Sequence, residues 1–575
     1  MRRLLILFLI SCCFALALAQ DVKQDAKKDV KKDAKQEDTK DGDAKTATSP
    51  VSFDDHGDTV LRAMIGELKR SQEKLQLGQL QRPYYIEYQV TELQDCLVDA
   101  TLGALRNEQV NAGRLVRAVV RIGDYKQDSY YGKGTGSTEL MPIDDNEMAL
   151  RHQLWLATDQ AYKAALTGLV EKDAALKNVV VETELPDFSQ EKPVESIAGL
   201  AKFDADLDNW KQMARSTSDL FRVDPELESS QAALHFRVLN RYFVNSEGTV
   251  TRYGKTAYVY SFDGSSQAAD GMRIDRGHGY VVSKADELPK ADEIRKDAQK
   301  MIATFDALRK APLVEDDYRG PVLFSADAAS SLFERLLVGN ILAVRPEIGN
   351  PARVRGDFAS YYKSRVLPEF LTVVDDPRPQ KIDGVTLMGS YDVDDEGVKV
   401  EPLTVIDKGV LTNYLIGREP IRDFVHSNGR GRSVLAGPPR PQISNLIFKA
   451  SNGVPFEELK KKLIQMCKDQ GRPYGYYVET TAARLAPRLL WRVYVSDGHR
   501  ELVRGAVFNQ LDTRTLRSDI IAAGNDEFAY NRSEPVPSAI VAPSLLFDEL
   551  EIQRANRTAE KLPIYPAPPL SATGK

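Results

Sequence analysis

The sequence predicts an α+β protein of two domains, in which helices pack on mostly antiparallel sheets. The chain has 575 residues, of which 42% are hydrophobic and 28% are charged, so it can bury more than one core. In its first part, one helical pattern is followed by several strand patterns, as expected for a helix packed on an antiparallel sheet. Further on, two strand patterns are joined by a short polar turn, as in a hairpin.

The first 50 residues are expected to lie outside the folded part. Residues 1–19 have the form of a signal peptide, with two arginines, an apolar core and the small-x-small sequence Ala17-Leu18-Ala19. This pattern predicts export to the periplasm or beyond the cell, and a lipoprotein signal ending at Cys12 is the less favoured alternative. Residues 20–50 alternate Asp, Lys and Ala without any aromatic residue, which predicts a disordered linker.

The rest of the chain is expected to form two domains and a tail. We place an N-terminal α+β domain at 51–310, a C-terminal domain at 311–565 and a loose tail at 566–575. The net charge of −6 and the pI of about 5.8 give no basic footprint for nucleic acid. Beyond the signal, no stretch approaches about 18 unbroken apolar residues, so no transmembrane span is predicted.

Periodicity predicts the elements of the N-terminal domain. Asp58 can cap a first helix. Its apolar face is formed by Val60, Leu61, Met64, Ile65 and Leu68. Further helices are predicted at 144–170, 204–216 and 291–308, and Trp155 and Tyr162 are expected in the core. Alternating apolar residues predict strands at 84–90, 97–105, 114–122, 179–184, 235–245 and 249–262.

Similar patterns predict the elements of the C-terminal domain. Helices are expected at 325–342 and 455–467. Strands are expected at 321–324, 371–376 and 490–495, and residues 501–508 are expected to pair back as a hairpin. Cys96 and Cys467 are the two cysteines beyond the signal. A disulfide between them is allowed in an oxidising compartment, but two free, buried thiols is the favoured interpretation.

Three motifs follow the helix predicted at 325–342. They are Thr372-Val373-Val374-Asp375-Asp376, then Asp394-Asp395-Glu396-Gly397, then Asn428-Gly429-Arg430-Gly431-Arg432. This order resembles the TldD/PmbA family, whose members are called modulators of DNA gyrase and are known as metallopeptidases. The turn Asn245-Ser246-Glu247-Gly248 resembles the same family. The resemblance implies a TldD/PmbA-like fold.

The metal motif of that family is missing from this chain. The family carries H-E-x-x-x-H on the helix, whereas this chain reads Phe333-Glu334-Arg335-Leu336-Leu337-Val338. The family's longer histidine spacing needs a local helix distortion, for which it uses a glycine where this chain has Leu337, and leucine does not favour that distortion. The family also uses a late cysteine, and residues 530–536 contain none. We therefore expect no zinc or other cofactor.

Glu334 and the carboxylate cluster each have two interpretations. Glu334 is either a remnant of the family's general base or a helix residue that pairs with Arg335 or another nearby cation. Asp394, Asp395 and Glu396 could hold calcium or shape a cleft, but a solvated turn closed by Gly397 is the favoured prediction.

The resemblance also implies a binding function. The family's C-terminal domain is known to bind extended peptides as added strands, and its members work as pairs in which one subunit type lacks the metal motif. The residues expected to line such a peptide cleft are Thr372, Asp394, Asp395, Glu396, Gly397, Asn428, Gly429 and Arg430. The partners expected are extended peptides and a homologous subunit in a homo- or heterodimer.

Three functional hypotheses follow. The favoured one is a metal-free peptide-binding or scaffolding subunit that contributes to proteolysis beside a metal-containing homologue. The second is a metallopeptidase that is active through unrecognised ligands. The third is an envelope binding protein without a proteolytic role.

Overall fold

The computed structural model describes residues 53–130, 136–179, 185–204, 206–315, 317–482, 485–556, 561–563 and 565. The predicted signal peptide, linker and tail lie outside these residues, as do residues 180–184 of one predicted strand. The fold is α+β with mostly antiparallel sheets, as the sequence predicts.

The first half of the chain builds one large sheet. Its strands are β1 (Pro83–Thr101), β2 (Ala104–Ile122), β3 (Ser137–Met141), β4 (Glu195–Ile197), β5 (Leu227–Asn245), β6 (Val250–Gln267) and β7 (Arg273–Val282). Their order is β3-β2-β1-β5-β6-β4, with β7 also pairing with β6. All these pairings are antiparallel except that of β4 with β6.

Four helices cover one face of this sheet. They are α1 (Thr59–Lys74), α2 (Glu147–Leu176), α3 (Leu207–Asp219) and α4 (Ala291–Lys310). The cores beneath these helices include six even-numbered residues of β1: Ile86, Tyr88, Val90, Cys96, Val98 and Ala100. The odd-numbered residues point the other way, and that second face carries buried polar side chains such as Glu87 and Gln89.

Two further sheets lie in the second half. One has the order β13 (Val410–Leu411), β12 (Leu403–Asp407), β9 (Leu371–Asp375), β16 (Asn445–Ala450), β23 (Ser538–Ala542), β22 (Phe528–Arg532). The other has the order β19 (Arg500–Val503), β18 (Pro487–Tyr494), β17 (Tyr474–Thr481), β8 (Tyr318–Phe324), β24 (Leu545–Arg554), β20 (Ala506–Asn509), and β21 (Ile520–Ala523) pairs with β24. The short strands β10 (Lys381–Ile382) and β11 (Val385–Thr386) pair with each other, as do β14 (Gly431–Arg432) and β15 (Arg440–Pro441).

The helix that carries the Glu334 motif lies in the large core of the second half. It begins as α5 (Ala326–Phe333), capped by Ser325, whose Oγ accepts a hydrogen bond from the Ala328 amide at 3.1 Å. It continues through a π-helical turn, Glu334–Val338, and ends as α6 (Gly339–Ile341). The helix is thus distorted at Leu337, although leucine does not favour a distortion there. The Leu337 side chain is fully buried in the core, and such packing overrides local preference.

Two helices follow later in the chain, α7 (Phe456–Asp469) and α8 (Thr513–Ser518). Helix α7 confirms the helix predicted at 455–467, and it buries Leu459, Leu463 and Cys467. Other element predictions are also confirmed. Asp58 caps α1, the apolar residues predicted for its face are buried, and the turn from Asn245 to Gly248 joins β5 to β6. Cys96 and Cys467 are free and buried.

Some element predictions are wrong. Trp155 is 44% exposed because it lies on the outer side of α2, whereas Tyr162 is buried. The strand predicted at 97–105 is interrupted at Leu102 and Gly103, which turn with positive φ between β1 and β2. The predicted hairpin is confirmed for residues 501–503, since β19 pairs with β18, but residues 506–508 belong to a separate strand, β20, which pairs with β24. No helix among the described residues is long and apolar enough to cross a membrane.

Candidate functional site

Phe333 and Val338 stand at the positions of the family's two histidines and carry no metal ligand, and the region 530–536 approaches the same helix through Arg532. The Phe333 ring stacks on Phe448 with a centroid distance of 3.8 Å and an interplanar angle of 14°. Val338 packs against the same core. From β22, the edge strand of its sheet, Arg532 reaches Glu334, and its Nη2 lies 3.2 Å from Oε1 of that carboxylate. The side chain of Glu334 therefore pairs with a cation, as one of its two interpretations predicts.

The side chains at these positions do not fit a zinc ion. Zinc sites in proteins use imidazole nitrogen, thiolate sulfur or carboxylate oxygen at about 2 Å. Phe333 and Val338 offer only hydrocarbon, and the guanidinium of Arg532 repels a cation. Among the described parts of the chain, no group of three or more His, Cys, Asp or Glu side chains is placed to hold a metal.

The Asp394 to Gly397 motif forms a turn, and the prediction that solvent surrounds it is wrong. Asp394 and Asp395 are both buried, at 2% exposure. The Asp394 carboxylate accepts hydrogen bonds from the amides of Glu396, Val398 and Gly431 at 2.8–3.0 Å. Burial is possible because these backbone donors replace water around the carboxylate.

Asp395 is held by two arginines from different halves of the chain. Its Oδ2 lies 2.5 Å from Nη1 of Arg241 on β5 and 3.2 Å from Nε of Arg432 on β14. The Tyr253 hydroxyl donates a hydrogen bond to Oδ1 of Asp395 at 2.6 Å. Burial alone would raise the pKa of Asp395, but the two guanidinium charges outweigh it and hold this pKa well below its usual range.

Glu396 and Asp394 behave differently from Asp395. Glu396 Oε2 accepts a hydrogen bond from the Arg418 amide at 2.8 Å. Burial raises the pKa of Glu396, and repulsion from Asp394 raises it further. Burial likewise raises the pKa of Asp394. The cluster therefore holds both an ionised carboxylate and carboxyls that retain protons more strongly than usual.

The Asn428 to Arg432 loop is joined to this turn. The Asp395 amide donates to the Gly431 carbonyl at 2.9 Å, and the Gly431 amide donates to Asp394. Asn428 ties the loop to its neighbour, since it donates to the Tyr414 carbonyl and accepts from the Ile416 amide. The Gly429 carbonyl accepts a hydrogen bond from the Tyr391 hydroxyl at 3.0 Å.

Arg430 and Thr372 complete the set of predicted cleft residues. Arg430 is fully buried and binds Asp375 at 2.8 Å, as well as the carbonyls of Asp375 and Glu401. Thr372 is half-buried on β9, and its hydroxyl oxygen accepts from the Lys408 amide at 3.2 Å. The structure thus brings the turn, the loop and β9 together as one hydrogen-bonded scaffold, in which Arg430 is used entirely for internal contacts.

The second face of the N-terminal sheet contributes residues that the sequence motifs do not reveal. Arg241 on β5 and Tyr253 and Lys255 on β6 face the loop that carries Arg432. The sequence signal that could have revealed them is the alternation on β5, where Arg237 and Arg241 occupy odd positions and most even positions from Ala232 to Val244 are apolar and buried.

Comparisons with known proteins match the second half of the chain most clearly. Residues 317–554 match the family model described as the PmbA/TldA metallopeptidase C-terminal domain. A metalloprotease from Methanothermobacter thermautotrophicus is 24% identical over 230 residues, which cover 38% of this chain and 45% of that protein. Metalloprotease PmbA from Escherichia coli O157:H7 is 23% identical over 259 residues, which cover 42% of this chain and 54% of that protein. The chain thus spans about half the length of these curated relatives.

A comparison of structures extends the likeness to the whole fold. The crystal structure of TldE from Thermococcus kodakarensis is similar, with a TM-score of 0.53 and 14% identity. The likeness covers 85% of this chain and 99% of that one.

Proposed function

Because the chain belongs to the TldD/PmbA family, we propose that it is a metal-free subunit that binds extended peptides and contributes to proteolysis beside a metal-containing homologue. The observation that carries this proposal is the replacement of all three ligand positions. Phe333 and Val338 are packed into a hydrocarbon core, and Arg532 brings a positive charge to Glu334. A general base of this kind needs a metal-bound water beside it, and the described residues contain no group of three or more His, Cys, Asp or Glu side chains placed to hold the metal.

The unpaired edge of strand β22, whose Asn531 side chain donates to the Val281 carbonyl of β7, supports the peptide-binding part. Strand β22 pairs with β23 on one side, and on its other side the described residues provide no strand partner. Extended peptides bind such edges through main-chain hydrogen bonds, which accept many sequences. Tyr530 and Arg532 lie on one face of β22, so a peptide added there would run beside Glu334.

The remaining parts of the proposal are export and pairing. Export rests on the signal-like pattern of residues 1–19, and pairing rests on the family resemblance. In this proposal, the scaffold of Asp394, Asp395 and Arg430 supports the binding region from behind, and Thr372 lies on the same sheet as β22.

Metal content and peptide cleavage test the proposal. The purified chain is expected to bind a fluorescent, unstructured peptide without cutting it, and to contain no stoichiometric zinc. Binding is measured by fluorescence anisotropy, cleavage by mass spectrometry, and metal by elemental analysis after incubation with zinc. One zinc per chain, together with cleavage that a chelator and Glu334→Gln both abolish, would refute the proposal in favour of an active metallopeptidase.

A further inference from the structure

A cavity of about 300 Å³ lies between the second face of the N-terminal sheet and the loops of the second half. Basic side chains dominate its charged lining. They are Arg237, Arg241, Lys255, Lys284, Lys381 and Arg432, against the single acidic residue Glu287. This imbalance favours an anionic ligand.

Two of these arginines carry buried donors without a partner. Arg241 is 2% exposed and Arg432 is 3% exposed. Among the described residues, Nε of Arg241 and Nη1 of Arg432 have no hydrogen-bond partner. Both guanidinium groups share one carboxylate, that of Asp395, so one positive charge remains unbalanced. Unpaired buried donors are costly, and both of these side chains line the cavity.

Lys255 adds a third cationic group to the same wall. Its Nζ donates to the Ser390 carbonyl and lies 5.7 Å from the centre of the Tyr391 ring. Burial lowers the pKa of Lys255 to about 7, and repulsion from Arg432 contributes. The other groups that act on it are Asp395 and Asp392, which favour its charge, and Arg241, which opposes it.

The rest of the cavity is largely apolar. Its hydrocarbon lining includes Leu239, Ala257, Leu387, Met388 and Val536. Such a lining suits a ligand with an apolar body, because burial of that body is favourable. Arg241 and Arg432 together leave one positive charge beyond that of Asp395, and Lys255 adds a second one when it is protonated.

We propose that this cavity binds a carboxylate attached to an apolar group, as at the C-terminal residue of a peptide, with the carboxylate held by Arg241, Arg432 and Lys255. As a subsite for peptide C-termini it rests on the proposed function, whereas the carboxylate site itself can be tested without a peptide. Each guanidinium supplies a charge-assisted hydrogen bond, which is stronger than one between neutral groups.

Small probes test the carboxylate site. N-acetyl-leucine is expected to bind. N-acetyl-leucinamide lacks the negative charge, so its affinity is expected to be lower by at least about tenfold. Titration calorimetry measures both, with inorganic phosphate as a third probe. The amide binding as tightly as the acid, or phosphate binding more tightly than the acid, overturns the proposal.

Variants connect the binding to the cavity. Lys255→Met is expected to weaken binding of the acid, whereas Lys296→Met, at an exposed position on α4, leaves it unchanged. In the unmodified chain, binding is expected to weaken as the pH rises through about 7, because Lys255 loses its proton. Lys255→Arg keeps the charge, so it should bind the acid without this pH dependence. Unchanged affinity in a folded Lys255→Met variant contradicts the assignment.

A pair of peptides separates this inference from the proposed function. A peptide with a free C-terminus is compared with the same peptide carrying a C-terminal amide. Preference for the free C-terminus supports both proposals. Binding of N-acetyl-leucine without binding of either peptide leaves the carboxylate site standing and refutes peptide binding, whereas equal binding of both peptides refutes the C-terminal subsite alone.

Discussion

The Phe333 side chain fills the space where the related family places its first histidine. Its ring is fully buried and stacks on Phe448. Phe333→Ala is therefore expected to lower the free energy of unfolding by about 3–5 kcal/mol, through lost burial and a residual cavity. Urea denaturation measures this change.

Phe528 provides the matched control, since its side chain is 43% exposed at the sheet edge. Phe528→Ala should change the free energy of unfolding by no more than about 0.5 kcal/mol. Equal losses in the two variants would show that Phe333 does not belong to the core.

The Glu396 carboxyl gives stability a dependence on pH. Its pKa in the fold lies above its ordinary value of 4.5, because of burial and the neighbouring Asp394. Above pH 4.5 the unfolded chain releases this proton while the folded chain keeps it, so stability falls as the pH rises. The decline from this cause ends once the pH exceeds the raised pKa. Each tenfold difference in proton affinity between the folded and the unfolded chain changes the free energy of unfolding by about 1.4 kcal/mol.

Glu396→Gln is expected to flatten this decline, because glutamine keeps the shape and does not titrate. The measurement is the free energy of unfolding at several pH values from 4.5 upward. Glu347→Gln is the control, since the Glu347 side chain is 83% exposed. A decline that is as steep in Glu396→Gln as in the unmodified chain would contradict the prediction.

At the scale of elements, the turn from Asp394 to Gly397 depends on a glycine for two reasons. Gly397 has a φ of +80°, and a Cβ there would lie 2.8 Å from Thr249 Cγ2 and 2.9 Å from Phe243 Cε1. Gly384 has a similar φ of +82°, but a Cβ at that residue would meet no atom within 4 Å. The two glycines therefore separate backbone strain from close packing.

Gly384→Ala is expected to cost about 1–2 kcal/mol of stability, from the left-handed backbone alone. Gly397→Ala should cost about 1–3 kcal/mol more, since the added methyl group also overpacks the contact with Phe243 on β5 and with Thr249 just before β6. Thermal and urea unfolding of both variants measure the difference. Similar losses of stability in the two variants would mean that the turn at Gly397 does not pack closely against the N-terminal sheet.

Sequence patterns predicted the elements whose signals are local. Helix α1 has both a capping residue, Asp58, and an apolar face, and the structure contains both. The full length of β1 and β2 was not predictable in the same way. Their odd positions carry polar residues such as Glu87 and Gln89, which are buried only because distant segments cover them.

The candidate site was predictable only in part for the same reason. The resemblance identified the turn and the loop by their motifs, and the structure joins them through Asp394 and Gly431. It did not identify Arg241 or Lys255, because their roles arise from strands that lie far from the motifs in the sequence. The burial of Asp395 likewise depends on Arg241, which belongs to the other half of the chain. It could not be predicted from the residues next to Asp395 in the sequence, which are polar.

At the scale of the whole molecule, polar contacts join the N-terminal sheet to the second half of the chain. Arg418 is the most enclosed of them, at 1% exposure. It binds Glu247, in the turn between β5 and β6, at 2.7 Å, and donates to the Tyr85 hydroxyl at 3.2 Å. It also donates to the Ser189 carbonyl. The carboxylate scaffold depends on this contact as well, because the Arg418 amide binds Glu396.

Arg418→Met is expected to lower the free energy of unfolding by about 3–5 kcal/mol, because it removes the guanidinium that balances the charge of Glu247 and leaves only Tyr125 and Asn245 donating to that carboxylate. Glu247→Gln should be costly for the same reason, and the double variant should lose less than the sum of the two single losses. Arg319→Met is the matched control: Arg319 pairs with Glu549 at 2.6 Å, but the two side chains are 72% and 47% exposed. Such an exposed pair contributes about 0–1 kcal/mol. If urea denaturation gave Arg418→Met and Arg319→Met the same small cost, the Arg418 contact would not be what holds the two halves of the chain together.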